Sequence, residues 1–391
     1  FQMIRLLLAM TIIVFVQSSF AEKDCSPKDF KCLSGSLGND VIVSSHGVNL
    51  LKKLKKTQNL RVCENANDEC FGILNGEITD KAMNAYFIPA NVDSEALSKT
   101  AVLIHGLSDS PFYMRHLAMA YSAEGYNVLS VLLAGHGNPA EDGPKDLEKV
   151  SYKDWQKSVL DSLSFATKFS DTITLVGFST GSALIVNLNA KYDLEKVQGA
   201  VVISPAIDLF ESGMIDLVTL FTPDSFVAGN PKEFGKGVRY LYYPLSAADQ
   251  LRALNKETHK LLKKKEISIP LMSVFAASED AFSVGEVNQI LDDNTKIYRS
   301  FLLGDPYIEV PNSLNFLQDD TDLRAEQMDS IEHALEKGLF WDHLLQDQYV
   351  EHVTPLLNSG EFVGEYEFTP YQTEIVNQII LFSEMANDVA D

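Results

Sequence analysis

The stretch TITLVGFSTGSALIVN (residues 172–187) decides the reading of the chain. An apolar run rich in β-branched residues stops at Gly-Phe-Ser-Thr-Gly and then resumes as a second apolar run. The first run reads as a buried strand and the second as a helix. Gly177 and Gly181 would remove side chains where strand and helix crowd one another, and Ser179 between them could then hold a strained conformation. The alternative is a loop that happens to hold two glycines, so the surrounding sequence has to carry the choice.

From Ala101 onward that context is regular. AVLIHG (101–106), NVLSVLLAG (127–135), TITLVG (172–177), AVVISP (200–205), IPLMSVFA (269–276) and KIYRSFL (296–302) are short and nearly continuous in apolar residues. Strands buried on both faces have this character. Helix-period stretches lie between them, at 111–125, at 152–169 and after Ser179. Strand alternating with helix implies right-handed βαβ units and a mainly parallel sheet. One interval breaks the rhythm: residues 206 to about 244 carry Phe210, Met214, Leu217, Phe221 and Phe226 among glycines and prolines. That is too long for a plain αβ connection, and it reads as a lid insertion or an ordinary packed excursion.

The chain has 391 residues, a formal net charge of -22 and 46% hydrophobic residues. This suits a large α/β domain with an insertion or two small domains, and the charge repels nucleic acid and anionic surfaces at long range. Residues 3–21 read as a signal peptide, with Arg5 as the positive region, an apolar stretch at 6–16, and small residues near Ala21. The expected location is therefore exported, periplasmic or secreted. Residues 22–85 read as a cysteine-bearing N-terminal extension to a main domain at 86–391. Cys25, Cys32, Cys63 and Cys70 are candidates for two disulfides, with three pairings open. Zinc is the weaker reading, because no histidine stands at ligand spacing. Within the extension, 49–56 (NLLKKLKK) is either a helix with a solvated basic face or one that touches a membrane.

Three features would converge at the carboxyl ends of the strands, where open α/β sheets bind ligands. Ser179 is the candidate nucleophile, exposed by the turn and facing the N-terminus of the following helix. His105-Gly106-Leu107-Ser108 follows the 101–106 strand. Leu107 there, with Thr180 after the serine, could donate backbone N–H groups to an oxyanion. His105 reads as a support for that loop, with a base role as the alternative. Asp280 follows a late strand, where the orienting acid belongs; Glu279 is its rival, and a helix cap near Val284 is the structural alternative. His333 is the first candidate base, followed by His343 and His352. No metal or organic cofactor is implied: H-E-x-x-H and a P-loop are both absent.

HGLSDSPFYMRHLA (105–118), LLAGHG (132–137), SYKDW (151–155), LVGFSTGSAL (175–184) and FAASEDAF (275–282) together resemble the α/β-hydrolase superfamily. Within it they resemble the monoglyceride lipase, lysophospholipase and serine aminopeptidase-like group. The resemblance covers roughly residues 85–391. It implies an α/β-hydrolase fold, Ser179 as nucleophile, Asp280 as acid, and Leu107 and Thr180 as oxyanion donors. A short S-x-x-H-like segment supports Ser330 through His333. Two departures stand out: Ser182 replaces a usual second glycine, and the residues after His333 look helical. The implied function is hydrolysis of a small acyl ester or lipid, such as a monoacylglycerol or lysophospholipid. The alternatives are a peptidase or acyltransferase on the same triad, and an inactive hydrolase fold that serves as a binding module.

Overall fold

The expected strands form because nearly continuous runs of β-branched and apolar residues fill both faces of a sheet that is covered on both sides. A computed structural model describes residues 45–75, 77–90, 98–138, 143–208, 227–228, 240, 243–276, 283–303, 315–316 and 370–388. Among the described residues nine strands make one sheet: Arg61–Val62 (β1), Tyr86–Ile88 (β2), Lys99–Ile104 (β3), Asn127–Val131 (β4), Thr172–Phe178 (β5), Val197–Ile203 (β6), Leu271–Ala276 (β7), Tyr298–Leu303 (β8) and Asn315–Phe316 (β9). Their spatial order is β1-β2-β4-β3-β5-β6-β7-β8-β9. Every pairing is parallel except β2 with β4, where Tyr86 lies opposite Ser130.

Alternate residues of the central strands enter two apolar layers. Val102 and Ile104 of β3, Leu129 and Val131 of β4, and Ile173 and Leu175 of β5 face one layer. Among the described residues five helices line that side: Ser45–Thr57 (α1), Tyr152–Ala166 (α3), Thr180–Lys191 (α4), Leu245–Leu262 (α5) and Val284–Asp293 (α6). Ala101 and Leu103 of β3, with Val201 and Ile203 of β6, face the other. There they meet Arg115–Ala123 (α2) and the C-terminal Pro370–Asp388 (α7). The helix α7 lies close on β6, since a Cβ on Gly199 would come within 2.7 Å of Ala386 Cβ. Tyr121 Oη and Ser383 Oγ are 2.7 Å apart, and Asn387 donates to Tyr126 Oη at 3.0 Å. These bonds fix α7 against α2.

The strand order places the crevice. β3 has β4 on one side and β5 on the other, so the connections leaving β3 and β5 diverge at their carboxyl ends.

From Ser45 onward the expected N-terminal extension contributes to this fold. β1 pairs with β2 in the main sheet. Leu51 and Leu54 of α1 are buried against the α3 layer, while Lys52, Lys55 and Lys56 are exposed. The apolar side of the 49–56 stretch is thus used by the core. Cys63 and Cys70 form a disulfide. In the chain-entropy view a loop this short stabilises by about 2–3 kcal/mol. Cys25 and Cys32, the signal-like segment and most of the expected lid at 206–244 lie outside the described residues. Of the insertion, Val227–Ala228 pairs antiparallel with Tyr243–Pro244. Among the described residues no helix is long and apolar enough to cross a membrane.

Leu54 is fully buried, so Leu54→Ala is expected to destabilise the main unfolding transition by about 2–4 kcal/mol. Urea unfolding of the full chain, followed by tryptophan fluorescence, checks this. An unchanged midpoint would show that α1 is not integral to the core.

Candidate active site

Ser179 is the sole link between β5 and α4, and it has φ 50 and ψ -112. A non-glycine residue held there is strained by about 1–3 kcal/mol, so its surroundings must enforce the turn. The two glycines show how. A Cβ on Gly181 would stand 2.2 Å from the Ile104 carbonyl oxygen and 2.8 Å from that of His105. A Cβ on Gly177 would stand 2.6 Å from Ser182 N. The first turn of α4 therefore rests directly on the end of β3, and any side chain would lift it off. The Ser179 N–H donates to the Ile203 carbonyl at 2.9 Å, and the Ser179 carbonyl accepts from Ala183 at 3.0 Å. With its peptide groups held on both sides, Ser179 is only 7% exposed.

The His105–Ser108 loop leaves β3 beside this turn. Leu107 is half-buried, and Thr180 is the first residue of α4, where helix N–H groups have no partner within the helix. Among the described residues neither the Leu107 nor the Thr180 N–H has a backbone acceptor. Backbone N–H groups left open in this way are the kind of donor that a developing oxyanion needs.

Two buried histidines hold the loop. His105 Nε2 accepts from the Leu133 N–H at 3.1 Å, so Nδ1 carries the proton and donates to the Gly106 carbonyl at 2.8 Å. Both ring nitrogens are engaged with backbone, which leaves His105 a support and not a base. His136, from the GHG segment, repeats the pattern. Its Nε2 accepts from the Ser108 N–H at 3.2 Å, and its Nδ1 donates to the Ala134 carbonyl at 3.2 Å. The rings meet edge to face at 4.9 Å. Burial drives His136 down to about 4 and His105 well below the usual histidine range, the latter aided by its charged-state repulsion with His136. Both stay neutral near pH 7, as their acceptor nitrogens require.

Three further supports come from distant parts of the chain. Tyr240, at the end of the insertion, donates its N–H to the Ser108 carbonyl at 2.7 Å and stacks on His136 at 5.9 Å. Its hydroxyl accepts from the Asn138 N–H at 3.1 Å. Gln58, just beyond α1, accepts from the Leu132 N–H at 3.1 Å. The SYKDW segment places Trp155 to donate to the Ala134 carbonyl at 3.1 Å, and Ser158 one turn on accepts from the Ala134 N–H at 3.1 Å. The loop after β4 is thereby fixed, and with it His136.

Thus the structure sets the Ser179–Thr180 turn against the end of β3, from which the loop carrying Leu107 departs. Asp280, Glu279, His333, His343 and His352 lie outside the described residues. Among the described residues no group of three or more His, Cys, Asp or Glu side chains could hold a metal ion.

A family model described as the alpha/beta hydrolase family matches residues 101–351, and the chain belongs to that family. A stretch of 108 residues is 33% identical to a thermostable monoacylglycerol lipase from Bacillus sp. (strain H-257). It covers 28% of this chain and 41% of that relative, so the match spans about two fifths of the relative's length. Similar solved structures include a soluble variant of monoglyceride lipase from Saccharomyces cerevisiae. It is 16% identical, with a TM-score of 0.44, covering 65% of this chain and 91% of that one. Monoacylglycerol lipase from Paleococcus ferrophilus is 15% identical, with a TM-score of 0.42, covering 61% and 96%.

The buried histidines make stability depend on pH. The unfolded chain takes up a proton at His136 below about pH 6.5, whereas the folded protein resists it until about pH 4. The contribution is therefore complete above pH 6.5 and lost as pH falls, by on the order of 3 kcal/mol for the full shift. Urea unfolding between pH 7 and pH 4.5 is expected to show a falling midpoint, with a shallower fall in His136→Gln. Equal slopes in the two proteins would contradict the neutral assignment of His136.

Proposed function

We propose that the protein is a serine hydrolase that cleaves carboxylic esters of lipid or acyl-chain type, such as a monoacylglycerol or a lysophospholipid. The observation that carries this reading is the strained Ser179 at φ 50, in a turn that rests on the end of β3 where the loop carrying Leu107 begins. A binding surface has no need of a serine held in that conformation. The partial identity to a monoacylglycerol lipase supports an acyl ester substrate.

In this reading His333 takes the proton from Ser179 Oγ as the oxygen attacks the acyl carbon, and Asp280 orients and stabilises the imidazolium. The tetrahedral oxyanion is held by the two backbone N–H groups. Collapse of that intermediate transfers the proton to the leaving alcohol and leaves an acyl-enzyme. Water, deprotonated by the same histidine, then releases the acid and frees the serine. Export to an oxidising compartment completes the proposal, and the Cys63–Cys70 disulfide is consistent with it.

Turnover of p-nitrophenyl esters of graded chain length tests the reading. Ser179→Ala and His333→Ala are each expected to lose at least about a thousandfold in kcat. His343→Ala and His352→Ala run beside them, and the largest loss among the three identifies the base. A folded wild type that turns over no ester or amide would overturn the enzyme reading in favour of a binding module.

A further inference from the structure

We propose that Ser182 is a positioning residue for the nucleophile: its hydroxyl locks the end of β5 to the end of β6 directly beneath Ser179. This rests on Ser179 being the nucleophile. Ser182 departs from the glycine that the resemblance leads one to expect, and a glycine would supply no hydroxyl at that point.

The geometry is specific. The parallel register sets Phe178 opposite Ile203, so the Gly177 carbonyl and the Ile203 N–H meet at the last rung between β5 and β6. Ser182 Oγ lies 2.7 Å from the Gly177 carbonyl and 3.0 Å from the Ile203 carbonyl, and accepts from the Ile203 N–H at 2.9 Å. One hydroxyl has one proton, which goes to the nearer Gly177 carbonyl, while a lone pair takes the Ile203 N–H. The Ile203 carbonyl is already held by the Ser179 N–H at 2.9 Å. Ser182 therefore joins the strand before the nucleophile, the strand beside it and the helix after it.

The side chain is fully buried, so no water replaces the lost bonds easily. β5 must leave the sheet abruptly to reach φ 50 at Ser179. Without the hydroxyl the last rung can splay and Ser179 Oγ can drift. A drift of this kind lowers the rate of the chemical step, because attack depends on alignment to a fraction of an ångström. Ser182 is fully buried and its hydroxyl is engaged with the backbone of Gly177 and Ile203, so substrate binding is not expected to change.

The experiment compares kcat and KM for p-nitrophenyl butyrate, well below the unfolding temperature, in wild type, Ser182→Ala, Ser182→Thr and Leu54→Ala. The expected result is a kcat lowered about tenfold in Ser182→Ala with KM unchanged, and at least partial recovery in Ser182→Thr, which keeps the hydroxyl. Leu54→Ala, destabilised far from the turn, is expected to keep the wild-type kcat. If Ser182→Thr does not fold, Ser182→Cys takes its place; if Ser182→Ala does not fold, Ser182→Gly does. A wild-type kcat in the hydroxyl-free variant, or the same drop in Leu54→Ala, overturns the proposal. A wild type without turnover, and indistinguishable from Ser179→Ala, overturns the nucleophile reading and this proposal with it.

Discussion

The contact on which the rest depends is the one between Gly181 and the carbonyl oxygens that end β3. With 2.2 Å between the Ile104 oxygen and the place of a Cβ, only a glycine lets α4 start where it does. That start forces the turn at Ser179 and sets the His105–Ser108 loop against the same point. The strain at Ser179 is thus not local. It is maintained by three parallel strands and one helix, whose burial far outweighs a strain of about 1–3 kcal/mol.

Around this point the molecule is built to hold backbone and not to titrate. His105 and His136 are acceptors for the N–H groups of Leu133 and Ser108, and burial keeps them neutral. Tyr240 donates its N–H to the Ser108 carbonyl, which ties the insertion to the loop that carries Leu107. Gln58 and Trp155 do the same for the loop after β4. Preorganised donors stabilise charge best when they need not move during reaction, and this set of supports restrains both loops.

Much of this was legible in the sequence, for physical reasons. Strands buried on both faces are short apolar runs, and all six expected runs coincide with strands of the sheet, within a few residues at the ends. The glycines of the turn are legible because close approach of backbones leaves no alternative. The roles of Gln58, His136, Tyr240 and Ser182 were not. Each acts on a backbone group that is remote in sequence or hidden beneath the turn, and no periodicity or spacing encodes such a contact. Ser182 was visible only as a departure from a usual glycine. The two readings of the 49–56 stretch needed the burial of Leu51 and Leu54 to separate them. The packing of 45–62 into the main fold also depends on long-range pairing, since β1 is only two residues long.

The most direct test of the central claim is covalent capture. The full chain would be treated with a fluorophosphonate, digested, and the adduct located by mass spectrometry. One adduct is expected, on Ser179, formed by the folded protein and absent after denaturation. An adduct on another serine, or none on a folded protein, would contradict it.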